Sequence, residues 1–254
     1  RFLVLSLGKH VVKTKDTPNF IANRLGIGYW ALALHYADIY DIPINIVDKL
    51  TGKLIGRPKS ATFRTADLVG LDIMQEVINT SRKIGSSEPL YKILQLPEWV
   101  KDLINIGNLG AKTKFKKGFY FKDKAGLKVW DKNLKKYILI DKEKNKLDPE
   151  LAKILKQNNW QQRLIKLRKL DSPQAKFLLD LLQHSFLYTK KIAKDIADCA
   201  EQVDAVMCHG YGWDHGPFEI MQAAKFDKTK FYKANKTYYF KSKKYKLLRD
   251  DKIY

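Results

Sequence analysis

Apolar residues recur at helical spacing in several stretches of the chain. From Phe20 they continue through Ile21, Leu25, Ile27, Leu32 and Leu34 to about Tyr40, and Pro43 stops the pattern, which predicts a helix. Thr17-Pro18 supplies its start, with Thr17 as N-cap and Pro18 at the first helical position. A loop at 51–62 carries Gly52, Gly56 and Pro58, and a second helix is expected from about Phe63. A shorter helix is expected within 88–101, after a break at Ser86-Ser87. Helical patterning resumes from about Pro149. Across 173–198, Phe177, Leu178, Leu181, Leu182, Phe186, Leu187 and Ile192 can share one face. A glycine-rich loop at 209–216 then precedes a last helix at 217–224. Two segments follow another rule. Residues 9–16 read as a short strand with a polar turn, and aromatic and polar positions alternate across 117–140, which predicts a small hairpin.

An internal repeat organises these elements. Residues 63–72 read FRTADLVGLD and residues 218–227 read FEIMQAAKFD. Each follows a glycine-containing loop, and further back stands Val-Asp, as Val47-Asp48 and Val203-Asp204. The distances from aspartate to phenylalanine differ by about one residue, which points to two related units. The expected fold is mainly α, with two related helical modules in tandem and a small β-hairpin insertion. The first module is placed at 17–104, a lysine-rich connector with the hairpin at 105–148, the second module at 149–228 and a basic aromatic tail at 229–254.

Composition adds charge to this picture. The 254 residues carry 48 Lys and Arg against 27 Asp and Glu, a formal charge of +21 borne mostly by lysine. Such a surface attracts polyanions, whether nucleic acid, an acidic membrane or a phosphate-bearing ligand such as coenzyme A, or it is simply solvated. The tail at 230–246 interleaves bases with aromatics as single-strand binders do, but no RNA- or DNA-binding motif accompanies it, and a solvated connector or paired strands explain it better. Two cysteines, Cys199 and Cys208, provide no disulfide framework and suit a reducing compartment. No secretory signal opens the chain, and the most apolar run, Leu25–Leu34, is short for a membrane span, so a soluble, cytoplasmic protein is expected. The absence of an initiating methionine suggests a fragment.

The segment KDTPNFIANRL at 15–25 resembles the K-D-T-P-G-F-I-x-N-R-L motif that opens the C-terminal domain of L-3-hydroxyacyl-CoA dehydrogenases. DLVGLD at 67–72 is similar to the usual ending of that module, and GPFE at 216–219 has the form typical of the family. The resemblance departs at Asn19, where the family has glycine, and at Ala61, Thr62 and Arg64, where glycine, proline and glutamate are usual. Two consecutive modules resemble the longer, multifunctional members, in which the copies pair within one chain; short members pair as homodimers.

The resemblance implies oxidation of (3S)-hydroxyacyl-CoA by NAD. It makes Asn23 the active-site asparagine, an amide that donates to substrate oxygen without titrating, although a helix-capping asparagine is the alternative. The family's catalytic His/Glu pair and dinucleotide loop belong to a separate NAD-binding domain, so residues 1–16 would end a linker from it, NAD would bind outside this chain, and the chain alone would be inactive. Gly26-Ile27-Gly28-Tyr29-Trp30-Ala31 formally fits G-x-G-x-x-A, yet it lies inside the helical pattern with no strand directly before it, and small residues permitting a close helix contact explain it better. Cys199, Cys208, His209 and His215 lack zinc-site spacing, and His35 and His184 sit among apolar residues without a catalytic partner. A basic nucleic-acid-binding helical protein and a non-catalytic structural module remain the alternatives.

Overall fold

The computed structural model describes residues 10–114, 116–141 and 146–226; the basic tail at 230–246 lies outside them. The first half contains α1 (Ala22–Ile39), α2 (Ile44–Thr51), α3 (Phe63–Val69), α4 (Leu71–Arg82) and α5 (Glu98–Asn105). A sheet of β1 (Tyr120–Asp123), β2 (Gly126–Asp131) and β3 (Lys136–Leu139) follows. The second half contains α6 (Pro149–Leu155), α7 (Trp160–Leu167), α8 (Pro173–Ile196), α9 (Ala200–Tyr211) and α10 (Pro217–Ala223). The fold is mainly α with one small antiparallel sheet. Among the described residues no helix is long and apolar enough to cross a membrane.

Helix α1 is the axis of the molecule. Every residue from Arg24 to Leu34 is buried, so the helix is covered on all sides rather than amphipathic. It packs on α8, α4 and α9. Polar ties run along the α1–α8 contact: the Tyr40 hydroxyl donates to Asp180 Oδ2 at 2.5 Å, the Tyr36 hydroxyl meets His184 Nδ1 at 2.9 Å, and the Tyr188 hydroxyl donates to the Arg24 carbonyl at 3.3 Å. Gly26 and Gly28 are what let these helices approach. A Cβ on Gly26 would lie 1.9 Å from the Tyr211 hydroxyl of α9, and one on Gly28 would lie 2.2 Å from the Tyr188 ring of α8. The glycine pattern is thus a packing device with no room for a dinucleotide.

The start of α1 differs from expectation. The helix begins at Ala22, because Asn19 and Phe20 adopt left-handed φ angles of 66° and 50°. Thr17 closes a turn to Phe20 instead of capping the helix. The left-handed region favours glycine and tolerates asparagine, which accounts for both residue types at position 19. Asn19 uses its side chain as well: Nδ2 donates to the Val77 carbonyl at 2.9 Å and to Ser81 Oγ at 2.7 Å, pinning this turn to α4.

Other elements also correct the sequence reading. Residues 10–16 form no strand. The helix expected from Phe63 is two, broken at Gly70 with φ 108°. Within 88–101 the α-helix α5 begins only at Glu98: Pro89 holds Glu88 extended, and Pro97, φ -57° and ψ 151°, is the N-cap of α5. Pro43 ends one helix and is also the N-cap of α2, an element without a sequence prediction. His209 and Gly210 belong to α9 rather than to the loop. The hairpin has a third strand, with β2 central, Tyr120 opposite Val129 and Trp130 opposite Tyr137. Its base enters the core through Phe119, whose ring lies 4.8 Å from Phe63 and 5.7 Å from Trp99. By contrast, Ser172-Pro173 and Asp148-Pro149 start α8 and α6 as their cap chemistry dictates, with Ser172 Oγ accepting from Ala175 and Asp148 Oδ1 from Glu150 and Leu151.

Candidate functional site

Two aspartates, Asp204 buried and Asp48 half-buried, shape the loops that form the site. Asp48, on α2, accepts from the backbone N–H groups of Thr62, Phe63 and Arg64 at 3.0, 2.7 and 3.1 Å, which caps α3 from a distance. Asp204, on α9, accepts from Phe218 and Glu219 at 2.9 and 3.0 Å and caps α10 in the same way. The separation is 15 residues to Phe63 and 14 to Phe218. Ala61, in the loop before α3, has a left-handed φ of 52°. Gly216 needs no unusual φ; a Cβ there would lie 2.2 Å from that of Asp204. Arg64, where Glu219 stands in the second half, lies 4.7 Å from the Tyr120 ring, and the Tyr120 hydroxyl donates to Asp48 Oδ2 at 2.8 Å. Asp67 accepts from Phe119 and Tyr120 N–H at 2.7 and 2.9 Å and so fastens the sheet to α3.

The loops held by these caps meet. Gly56 (φ 70°, ψ 34°) and Gly212 (φ 65°, ψ 33°) share one left-handed conformation, and Asp214 N–H donates to the Gly56 carbonyl at 2.9 Å. The residue after each glycine, Arg57 in one loop and Trp213 in the other, stacks on its counterpart, with the guanidinium carbon 2.8 Å from the indole centroid.

Beside this contact lies a cavity of about 330 Å³ between the two halves. Asn23, Gly26 and Trp30 of α1 form one wall, Thr62 and Thr65 another, and Tyr211 with Trp213 a third. Asn23 is exposed in the first turn of α1 and has no hydrogen-bond partner among the described residues. Ile21 gives that helix no side-chain cap, so its first-turn N–H groups add partial positive charge beside Asn23. At the other end Arg57 is buried, its cation stacked between Trp213 and Tyr29, 5.0 Å from the Tyr29 centroid. Burial lowers the Arg57 pKa to about 10, with Tyr29 and Cys208 acting in opposition.

Sequence reading placed Asn23 here but missed Arg57, Thr62, Tyr211 and Trp213. The readable signal was the matching glycine at 56 and 212, each followed by a residue large enough to reach across. Cys199 and Cys208 are free and half-buried. His215 pairs with Glu219 at 2.9 Å on the surface, and no group of three or more His, Cys, Asp or Glu among the described residues is arranged to hold a metal.

Burial raises the Asp204 carboxyl to about 8, against the pull of its two N–H donors. The folded state therefore retains a proton that the unfolded chain, at 3.8, has released. The stability from this group is complete below about pH 4 and is lost as pH rises through about 8. The thermal midpoint is expected to rise as pH falls from 8.5 to 5.5, and Asp204→Asn, which cannot titrate, is expected to flatten that slope. Calorimetry across this range checks both; an identical slope in the variant would remove the assignment.

The comparisons with known proteins follow this geometry. Residues 20–122 match the family described as 3-hydroxyacyl-CoA dehydrogenase, C-terminal domain. A "Probable 3-hydroxyacyl-CoA dehydrogenase" of Bacillus subtilis (strain 168) is 35% identical over 219 residues, covering 85% of this chain and 27% of that protein. One of the same name from Deinococcus radiodurans is 42% identical over 119 residues, 47% of this chain and 33% of that protein. A "Putative fatty acid oxidation complex trifunctional enzyme" of Rickettsia prowazekii is 25% identical over 224 residues, 88% and 29% respectively. The chain thus spans no more than about a third of these three relatives. With the opening motif, the α3–α4 ending and the matched span in agreement, the chain belongs, through residues 20–122, to the 3-hydroxyacyl-CoA dehydrogenase C-terminal domain family.

Proposed function

We propose that this chain is the substrate-facing, C-terminal portion of an NAD-dependent (3S)-3-hydroxyacyl-CoA dehydrogenase acting in fatty-acid β-oxidation in the cytoplasm. The observation that carries the reading is Asn23, exposed at the uncapped N-terminus of α1 above a cavity built from both halves. Residues 17–104 and 149–228 are two copies of one module, paired within the chain through α1 and α8, with 105–148 as connector and 229–254 as tail. The Asp48 and Asp204 caps and the matching turns at Gly56 and Gly212 support that division.

Interconversion of alcohol and ketone at C3 needs a base for the hydroxyl proton, a hydride acceptor, and donors where oxygen gains charge. This chain supplies the donors. The Asn23 amide and the first-turn N–H groups of α1 polarise the thioester and C3 oxygens, and the cavity behind them receives the acyl chain. The Gly26–Gly28 segment does not fit a dinucleotide, since Tyr211 and Tyr188 occupy the space against it. NAD, which takes the hydride, is therefore assigned to a separate domain preceding this chain in the intact protein, together with the base.

Acetoacetyl-CoA-dependent oxidation of NADH is the test, read for residues 1–254 alone and for the protein that joins them to an NAD-binding domain. Turnover by the joined protein and none by 1–254 is expected. Turnover by 1–254 alone would overturn the division of labour, and none by either would overturn the dehydrogenase reading.

A further inference from the structure

Residues that line the cavity carry polar atoms that the fold leaves without partners. Arg57 Nε and Nη1 and Trp30 Nε1 are all buried without a hydrogen-bond partner among the described residues, and both residues line the cavity. Leaving a buried donor unpaired costs about 1–3 kcal/mol, more for a charged group. An arginine with no facing carboxylate is the largest of these unmet demands. Stacking on Trp213 and Tyr29 supports the faces of the guanidinium but satisfies none of its in-plane N–H groups.

The layout of the cavity specifies what would meet that demand. Asn23 marks the mouth, and the rise along α1 from Asn23 to Tyr29 is about 9 Å. Between them the walls are mostly apolar, with Trp30, Ala66, Val69 and Met74, and with the Thr62 and Thr65 hydroxyl residues on one side. A ligand that fits has a polar group at the mouth, an aliphatic stem and an oxygen anion at the far end, where a guanidinium fork matches a carboxylate. We infer that the cavity receives an acyl chain whose distal end is a carboxylate, bound by Arg57, so that the preferred substrates are ω-carboxyacyl thioesters. This rests on the proposed function only for the thioester at the mouth; Arg57 as an acceptor of a stem-borne carboxylate stands on the cavity itself.

Binding of suberate, octanoate and inorganic phosphate to the 254-residue chain, measured by titration calorimetry without NAD or turnover, separates the two readings. Suberate is expected to bind at least about tenfold more tightly than octanoate, as a charge-assisted hydrogen bond supplies. Arg57→Met should erase that preference while octanoate still binds, and Arg57→Lys, a charge without the fork, should retain part of it. Should either variant fail to fold, the comparison in the unsubstituted chain decides alone. Equal binding of suberate and octanoate, phosphate binding as tightly as suberate, or no binding of suberate would each overturn the inference, leaving Arg57 as a stacked tie between the loops. A dehydrogenase that turns over normally yet shows no such preference defeats this inference only; suberate selectivity in an inactive enzyme defeats only the proposed reaction.

Discussion

Glu88→Ala is expected to lower the stability of the fold by about 3–5 kcal/mol, read as a reduced denaturant midpoint at unchanged slope. Glu88 Oε2 receives Arg24 Nε at 3.0 Å and Nη2 at 2.9 Å, with side chains only 0% and 4% exposed respectively. Removing the carboxylate strands a guanidinium in the core beneath α1, where water cannot reach it. Whole domains are stable by only about 5–15 kcal/mol, so the loss is a large share. The pair need not be a net stabiliser. Glu88 Oε1 is itself buried without a partner, and both charges lose their hydration on folding. The double variant Arg24→Met, Glu88→Met is therefore expected to recover most of the loss, since apolar replacement of a buried pair is often neutral or better. A single-variant loss under about 1 kcal/mol, typical of exposed pairs, would remove this account. The pair also has a positional role: Arg24 follows Asn23 and its carbonyl accepts from Tyr188, so the first turn of α1 is tied to both the 88–97 segment and α8.

How much of this was legible depends on the range of the cause. Apolar patterning placed α6 and α8 near their observed starts, and the structure adds the Asp148 and Ser172 caps that fix those starts. The glycines at 26 and 28 could be set aside as a cofactor loop because they lie inside a helical pattern with no strand directly before them, although which rings they admit is a matter of three-dimensional packing. Asn19 illustrates the limit. It stood out as a departure from a motif glycine, and its left-handed φ and its bonds to Val77 and Ser81 explain it only once α4 is in place. The Arg57–Trp213 stack was beyond periodicity altogether: both lie in short loops, more than a hundred residues apart, and are brought together by two helices and two capping aspartates. Helix α2 was within reach, because Ile44, Val47 and Leu50 repeat at helical spacing immediately after Pro43.

If the proposed reaction holds, Asn23→Ala in the protein joined to its NAD-binding domain is expected to lower kcat/KM by about 10²–10³, the range found when a single oxyanion donor is removed. The structure makes this a clean experiment. Asn23 is exposed, has no hydrogen-bond partner among the described residues and is not the N-cap of α1, so its truncation should change stability by no more than about 0.5 kcal/mol. Any large kinetic effect then belongs to the reaction and not to folding. A donor used only as charge develops lowers kcat and kcat/KM together, whereas one that merely holds the thioester raises KM and leaves kcat intact. The first pattern is expected for Asn23. Asn23→Asp sharpens the assignment, since it keeps the volume and replaces the amide donor with an acceptor that repels a developing oxyanion; it should be as inactive as the alanine variant, or worse. An unchanged kcat/KM in Asn23→Ala would leave the α1 terminus without a catalytic role and favour a chain that serves assembly alone. Activity lost in alanine but retained in aspartate would instead show that position 23 works through shape, against the donor role.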